Sequence, residues 1–214
     1  MKNINFYYSK YDFDFKNAIE SIIDEKWKIA DLLLQSIKYM LTNDTFTKSD
    51  GCNYFTLYVN KMSRLFFWLD DKYFSITFPC EWYNNEVKMI TPKGGQVIID
   101  NKLSSVLLRV VSETKLSSEV SYDEILESYL QYDELVDDID DILDCVSYLK
   151  TFESGYLRFD IDKNASERKN PHTYYHMDIN YTLKAQWKVA LSSKFKKDDF
   201  IDILDICTVA KSLK

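Results

Sequence analysis

Six short runs of aromatic and β-branched residues, arranged in two sets of three, constrain this chain more than any other feature. YFTLYVN (54–60), RLFFWLD (64–70) and YFSITFP (73–79) follow one another with turn residues such as Asp70 and Asp71 between them. YLRFDID (156–162), TYYHMDINY (173–181) and AQWKVALS (185–192) form the second set. Runs this short, this aromatic and this closely spaced predict antiparallel strands in meanders. Pro79 has no N–H to give a ladder, so it ends the third strand.

Helical periodicity occupies the intervening stretches. Over 16–41, Ile19, Ile22, Ile23, Trp27, Ala30, Leu33, Leu34, Ile37 and Leu41 recur at helical steps, with Asp14 placed as N-cap, which predicts one long N-terminal helix. QVIID (96–100) follows a loop containing Thr91, Pro92, Lys93, Gly94 and Gly95 and reads as strand. In the next segment, 104–113, three valines favour strand, while Leu103, Val106, Leu107 and Val110 fit a helix, and helix is preferred. A central acidic helix spans about 122–150, with a break near Tyr132, and a closing helix starts near Asp198. The fold class is therefore α+β, largely antiparallel sheet with a long N-terminal helix, a central acidic helix and a C-terminal helix beside the 104–113 segment. It is organised as one domain over 1–214, or as two lobes, 1–120 and 121–214.

With 46% hydrophobic residues and only four Gly and three Pro, the chain has the composition of an ordered protein rather than a linker or a disordered tail. Cys52, Cys80, Cys145 and Cys207 are scattered, with no CxxC pair, and read as reduced thiols of a cytoplasmic protein. The first 15 residues lack the apolar run of a signal peptide, and no window approaches 18 apolar residues, so no membrane partner is expected. Richness in Lys, Asn, Ile, Tyr and Asp matches an AT-rich bacterial genome. Gly-rich phosphate loops, nucleophile elbows and kinase signatures are absent, and no cofactor is expected.

Charge is unevenly spread. Residues 122–149 hold ten acidic side chains and no Lys or Arg, so the rest of the −7 chain carries a formal +3. Residues 158–197 hold nine basic against four acidic side chains. The acidic run reads first as a solvated helix face. Its like-charged Asp pairs four apart are also relieved by a basic partner, which makes Asp137, Asp138 and Asp141, with Lys184 and Lys194 on the basic side, candidate interaction residues.

Period-two alternation splits the last three strands into two faces. Leu157, Phe159, Ile161, Tyr175, Met177, Ile179, Tyr181, Trp187, Val189 and Leu191 fall on the core side. Arg158, Asp160, Tyr174, His176, Asp178 and Lys188 converge on the other. A metal shared by His172 and His176 is disfavoured, because four residues along a strand span roughly 13 Å. Only His176, Asp178 and Asp160 have the spacing of a ligand set, and no metal is expected. Metal-independent acid–base chemistry needs a histidine, an orienting carboxylate and a cation for an anionic substrate. His176, with Asp178 or Asp160 and with Arg158 or Lys188, supplies them, and Tyr174 can donate or stack. The bland reading is a wet sheet face with cross-strand ion pairs.

The order Arg-Phe-Asp-Ile-Asp (158–162), Pro171-His172, a second histidine on the next strand and a closing Asp-Phe-Ile (199–201) resembles the bacterial domain-of-unknown-function family 2290. A similar arrangement occurs in a family of short toxins of toxin–antitoxin modules. In this chain Pro precedes His where the family has His before Pro. The resemblance implies a cytoplasmic bacterial protein of phage-defence or toxin–antitoxin-like loci and leaves its biochemistry open. The acidic helix and the basic sheet face, as interaction surfaces, make protein–protein contact the leading expectation. A ribonuclease-like toxin using the His176 face is the second expectation, and a nucleic-acid-binding module using the basic 158–197 segment is the third.

Overall fold

The computed structural model describes residues 2–8, 13–20, 23, 25–42, 53–59, 62–92, 94–117, 119–130, 139–164, 173–182 and 185–208. The chain forms two compact units that interleave in sequence. One comprises Met1–Tyr8, Lys48–Phe78 and Ser154–Lys214, and the other Ser9–Thr47 and Pro79–Glu153.

The first unit contains one seven-stranded antiparallel sheet. Its strands are β1 (Lys2–Tyr8), β2 (Asn53–Val59), β3 (Arg64–Trp68), β4 (Lys72–Thr77), β8 (Tyr156–Ile161), β9 (Tyr175–Thr182) and β10 (Ala185–Leu191), side by side in that order. The two meanders read from sequence thus share a single sheet, joined where Tyr73 faces Phe159 and Phe74 faces Arg158. A strand that the periodicity did not announce, β1, lies at one edge and pairs with β2 from Lys2 opposite Val59 to Tyr8 opposite Asn53. The short helix α6 (Lys197–Asp202) belongs to the same unit, and Phe200 is its buried residue. On one sheet face, Tyr58, Phe66, Trp68, Tyr73, Leu157, Phe159, Met177, Leu191 and Phe195 form a core with Phe200. Each large side chain so buried contributes roughly 1.5–3 kcal/mol. On the other face, the rings of Phe6, Phe55, Phe67 and Phe74 stack in sequence across β1 to β4.

A half-buried arginine locks the junction of the two meanders. Arg64 donates from Nε to Ser75 Oγ at 2.9 Å, and its Nη2 donates to the Gly155 carbonyl. Gly155 has φ of +52°, and a Cβ there would stand 2.8 Å from Arg64 Nη1 and 2.9 Å from Thr77 Oγ1, so any side chain is strained there and must push Arg64 and Thr77 aside.

The second unit holds α1 (Phe13–Glu20), α2 (Lys26–Thr42), a three-stranded sheet of β5 (Cys80–Tyr83), β6 (Glu86–Ile90) and β7 (Gln96–Ile99), then α3 (Asn101–Thr114), α4 (Tyr122–Leu130) and α5 (Ile139–Thr151). The expected single N-terminal helix is corrected: α1 is short and ends at Glu20, the main helix is α2, and Asp14 is the second residue of α1 rather than its cap. The continuous apolar spacing concealed that interruption. Segment 104–113 is helical, within α3. Asp100 caps it by accepting from Leu103 N at 2.7 Å, and Lys115 closes it in the left-handed region. The β5–β6 hairpin turns at Asn84 and Asn85, with φ of 50° and 61°, the conformation of a two-residue hairpin turn. The acidic segment gives α4 and α5. α4 starts with a capping box in which Ser121 N donates to Glu124 Oε2 at 2.7 Å and Glu124 N donates to Ser121 Oγ at 3.2 Å. Cys80 and Cys145 are buried and free, and burial pushes the Cys145 thiol up to about 12, which leaves it unreactive. No helix among the described residues is long and apolar enough to cross a membrane.

Candidate functional site

β8, β9 and β10 bring five of the six candidate residues together. Register places Arg158 opposite Asp178 and Asp160 opposite His176, and sets Lys188 of β10 opposite Asp178. All five side chains leave the face that β8 to β10 present opposite the core, as period-two alternation requires.

Arg158 is the hub. Its Nε donates to Asp160 Oδ2 at 2.7 Å, its Nη2 to Asp178 Oδ2 at 2.5 Å and its Nη1 to the Tyr156 hydroxyl at 3.4 Å. Burial by itself lowers the pKa of this guanidinium, but Tyr156, Asp160 and Asp178 outweigh it and drive the pKa up. Tyr156 is buried, and that burial raises its hydroxyl to about 12, so it meets Arg158 as a neutral phenol. Lys188 Nζ approaches the other oxygen of Asp178, Oδ1, at 3.6 Å from a more exposed position. Two cations and two carboxylates balance.

His176 is only 3% exposed. Its Nδ1 faces the Thr173 carbonyl at 3.2 Å and its Nε2 faces Asp160 Oδ2 at 3.2 Å. A neutral imidazole carries one N–H, so it satisfies one of these acceptors; the doubly protonated ring satisfies both. Either way, both nitrogens point at protein oxygens. A general acid–base histidine normally keeps one nitrogen for its orienting carboxylate and turns the other to the substrate.

The ligand atoms of Asp160, His176 and Asp178 lie within 4.8 Å of one another, close enough to surround a cation. The guanidinium of Arg158 already bonds both carboxylates, so a divalent ion would have to displace it or sit beside it. The balanced charge of the cluster fits ion pairing better than divalent-metal binding.

Tyr174, the sixth candidate, stands apart from this network. It precedes β9, is 47% exposed, and packs edge-on against Tyr175 at 4.8 Å between ring centroids. Of the interaction residues, Asp141 lies in the first turn of α5 and is half-buried, and Lys194 is exposed after β10. Asp137, Asp138, Lys184 and His172 lie outside the described residues. Tyr156 was missed by the sequence reading, although its position two residues before Arg158 puts it on the same face. Trp187, assigned to the core side, is 64% exposed, although Leu191 on the same face of β10 is buried. No family model, curated protein or solved structure matches the chain.

Proposed function

We propose that this chain is a cytoplasmic bacterial protein that acts by contact with another protein, in a phage-defence or toxin–antitoxin-like setting. The setting rests on the resemblance carried by residues 158–201. The mode of action rests on one observation: β10 is an edge strand that presents Trp187 in mid-strand, 64% exposed. An edge offers unpaired main-chain N–H and C=O groups to an incoming strand, and an exposed tryptophan gives that strand an apolar anchor. The polar cluster next to it serves to hold β8, β9 and β10 in register. The test is the plating efficiency of a phage panel on cells expressing wild type, Trp187→Glu or His176→Gln. Loss of protection with Trp187→Glu and retention with His176→Gln supports the reading, and the reverse pattern overturns it.

The ribonuclease-like reading keeps one favourable observation, the His176–Asp160 contact at 3.2 Å, which is the pairing that orients an acid–base imidazole. It requires the ring to turn out of its pocket. The nucleic-acid reading is weaker, because Arg158 and Lys188 are engaged by Asp160 and Asp178 and do not present a basic stripe.

A further inference from the structure

On the sheet face opposite the Arg158 cluster, Tyr54 of β2, Trp68 of β3 and Tyr73 of β4 stand on three adjacent strands around one ammonium group. Lys197, the first residue of α6, places its Nζ 5.0 Å from the Tyr54 ring centroid, 5.2 Å from Trp68 and 5.9 Å from Tyr73. It also donates to the Tyr54 hydroxyl at 3.2 Å. Among the described residues its ammonium makes no salt bridge to a carboxylate. The rings themselves are fixed. Trp68 and Tyr73 are direct cross-strand partners, Trp68 Nε1 donates to Thr56 Oγ1 at 3.0 Å, and both rings are buried. Phe200 of α6 meets Phe66, Trp68 and Tyr73 edge-on, so helix and rings hold one another. Tyr54 and Lys197 are half-buried, and solvent reaches the group from their side.

Three converging aromatic faces make a preformed cation site, and the geometry suits a different cation from the one it holds. A primary ammonium has three donors and is strongly hydrated, whereas the described residues offer it one hydroxyl acceptor and three rings. Its ring distances fall toward the far end of the ~6 Å range over which a cation is held by a ring. Methyl groups on the nitrogen would fill that space, and a quaternary nitrogen has no donor left to satisfy. We propose that Tyr54, Trp68 and Tyr73 form a binding site for an N-methylated ammonium group, and that Lys197 is an internal occupant which such a ligand displaces.

The test is titration of wild type, Lys197→Ala and the Lys197→Ala/Tyr54→Leu double variant with tetramethylammonium chloride at constant ionic strength. Binding is followed by ligand-observed NMR, and folding is checked by circular dichroism. Lys197→Met, which keeps most of the side-chain stem over the rings, stands in should the alanine variant fail to fold. Expected are weak binding to wild type, at least tenfold tighter binding once Lys197 is removed, and loss of binding in the double variant. Propylammonium should bind the Lys197 variant at least tenfold more weakly than tetramethylammonium. Choline and a peptide bearing trimethyl-lysine, run in parallel, distinguish a small-molecule source of the group from a modified protein by which binds more tightly. The proposal is overturned if the folded Lys197 variant does not bind tetramethylammonium, if it binds no more tightly than wild type, or if binding survives the loss of Tyr54.

Discussion

Arg158 and Lys197 are cations on opposite faces of one seven-stranded sheet, and they are held in opposite ways. Arg158 sits between two carboxylates and a buried phenol, all within hydrogen-bonding reach. Lys197 sits among three aromatic rings with one hydroxyl acceptor. Removing the first cation leaves two partly buried carboxylates with Lys188 as their remaining lysine partner, whereas removing the second leaves neutral rings that any suitable cation can occupy. A charge-compensated cluster therefore behaves as a lock and an aromatic cage as a socket. Arg64 lies between these extremes. Its partners are neutral oxygens, and burial lowers its pKa to about 10, so it stays charged at neutral pH with no carboxylate paired to it among the described residues.

The largest effect expected from breaking this comparison comes from the lock. Arg158→Ala should lower stability in urea unfolding by about 3 kcal/mol, because the partly buried Asp160 and Asp178 lose the guanidinium they share and only Asp178 keeps a cation, Lys188. The triple replacement Arg158→Met, Asp160→Leu and Asp178→Leu should recover most of that loss, since apolar residues of similar volume often replace a buried ion set at little cost. A triple variant as unstable as Arg158→Ala would show that the cluster contributes more than compensated charge.

Gly155→Ala comes next, at about 2–3 kcal/mol, from the left-handed backbone and the collision of the new methyl with Arg64 and Thr77. Arg64→Met should shrink the penalty of Gly155→Ala, a non-additivity that a double-mutant cycle measures.

Asp31 on α2 is a partly buried carboxyl that burial pushes up to about 6. Its folded pKa exceeds its unfolded one. The stability it contributes is therefore fully present below about pH 4 and lost as pH rises through about 6. Asp31→Asn should flatten the stability profile across that window and raise stability at pH 7 by about 1–2 kcal/mol, after discounting for solvent screening. A profile unchanged by the substitution would mean that Asp31 is better solvated or better paired than its burial implies.

The smallest effect belongs to the socket. Lys197→Ala should change stability by no more than about 1 kcal/mol, the scale of a partly exposed cation–π contact. A loss comparable to that of Arg158→Ala would make Lys197 part of the lock and erase the contrast.

The Arg158 cluster was legible in the sequence because a strand has a strict period of two. Once the 156–161 and 175–182 segments are strands, Arg158, Asp160, His176 and Asp178 must share a face, and Lys188 follows if β10 continues the meander. What they do to one another was not legible. Whether His176 offers a nitrogen to substrate depends on the Thr173 carbonyl and on how far β10 and its neighbours bury the ring. The β5–β6 hairpin did carry a signal in Asn84-Asn85, set between the alternating segments CEWY and EVKMI. The split between α1 and α2 had none in the hydrophobic periodicity. The cage around Lys197 was invisible for a deeper reason. Tyr54, Trp68 and Tyr73 converge only through the register of three strands, and their cation arrives from more than a hundred residues further along the chain. Trp187 shows the limit of alternation itself: it gives the face of a strand but not how much of that face the rest of the chain covers.

The central claim is that the His176 cluster is a structural lock and that the protein works by contact. The most direct measurement incubates total bacterial RNA with folded wild type and His176→Gln in the presence of EDTA. The account predicts intact RNA with both proteins. Cleavage by wild type that disappears in His176→Gln would make His176 an acid–base residue and contradict it.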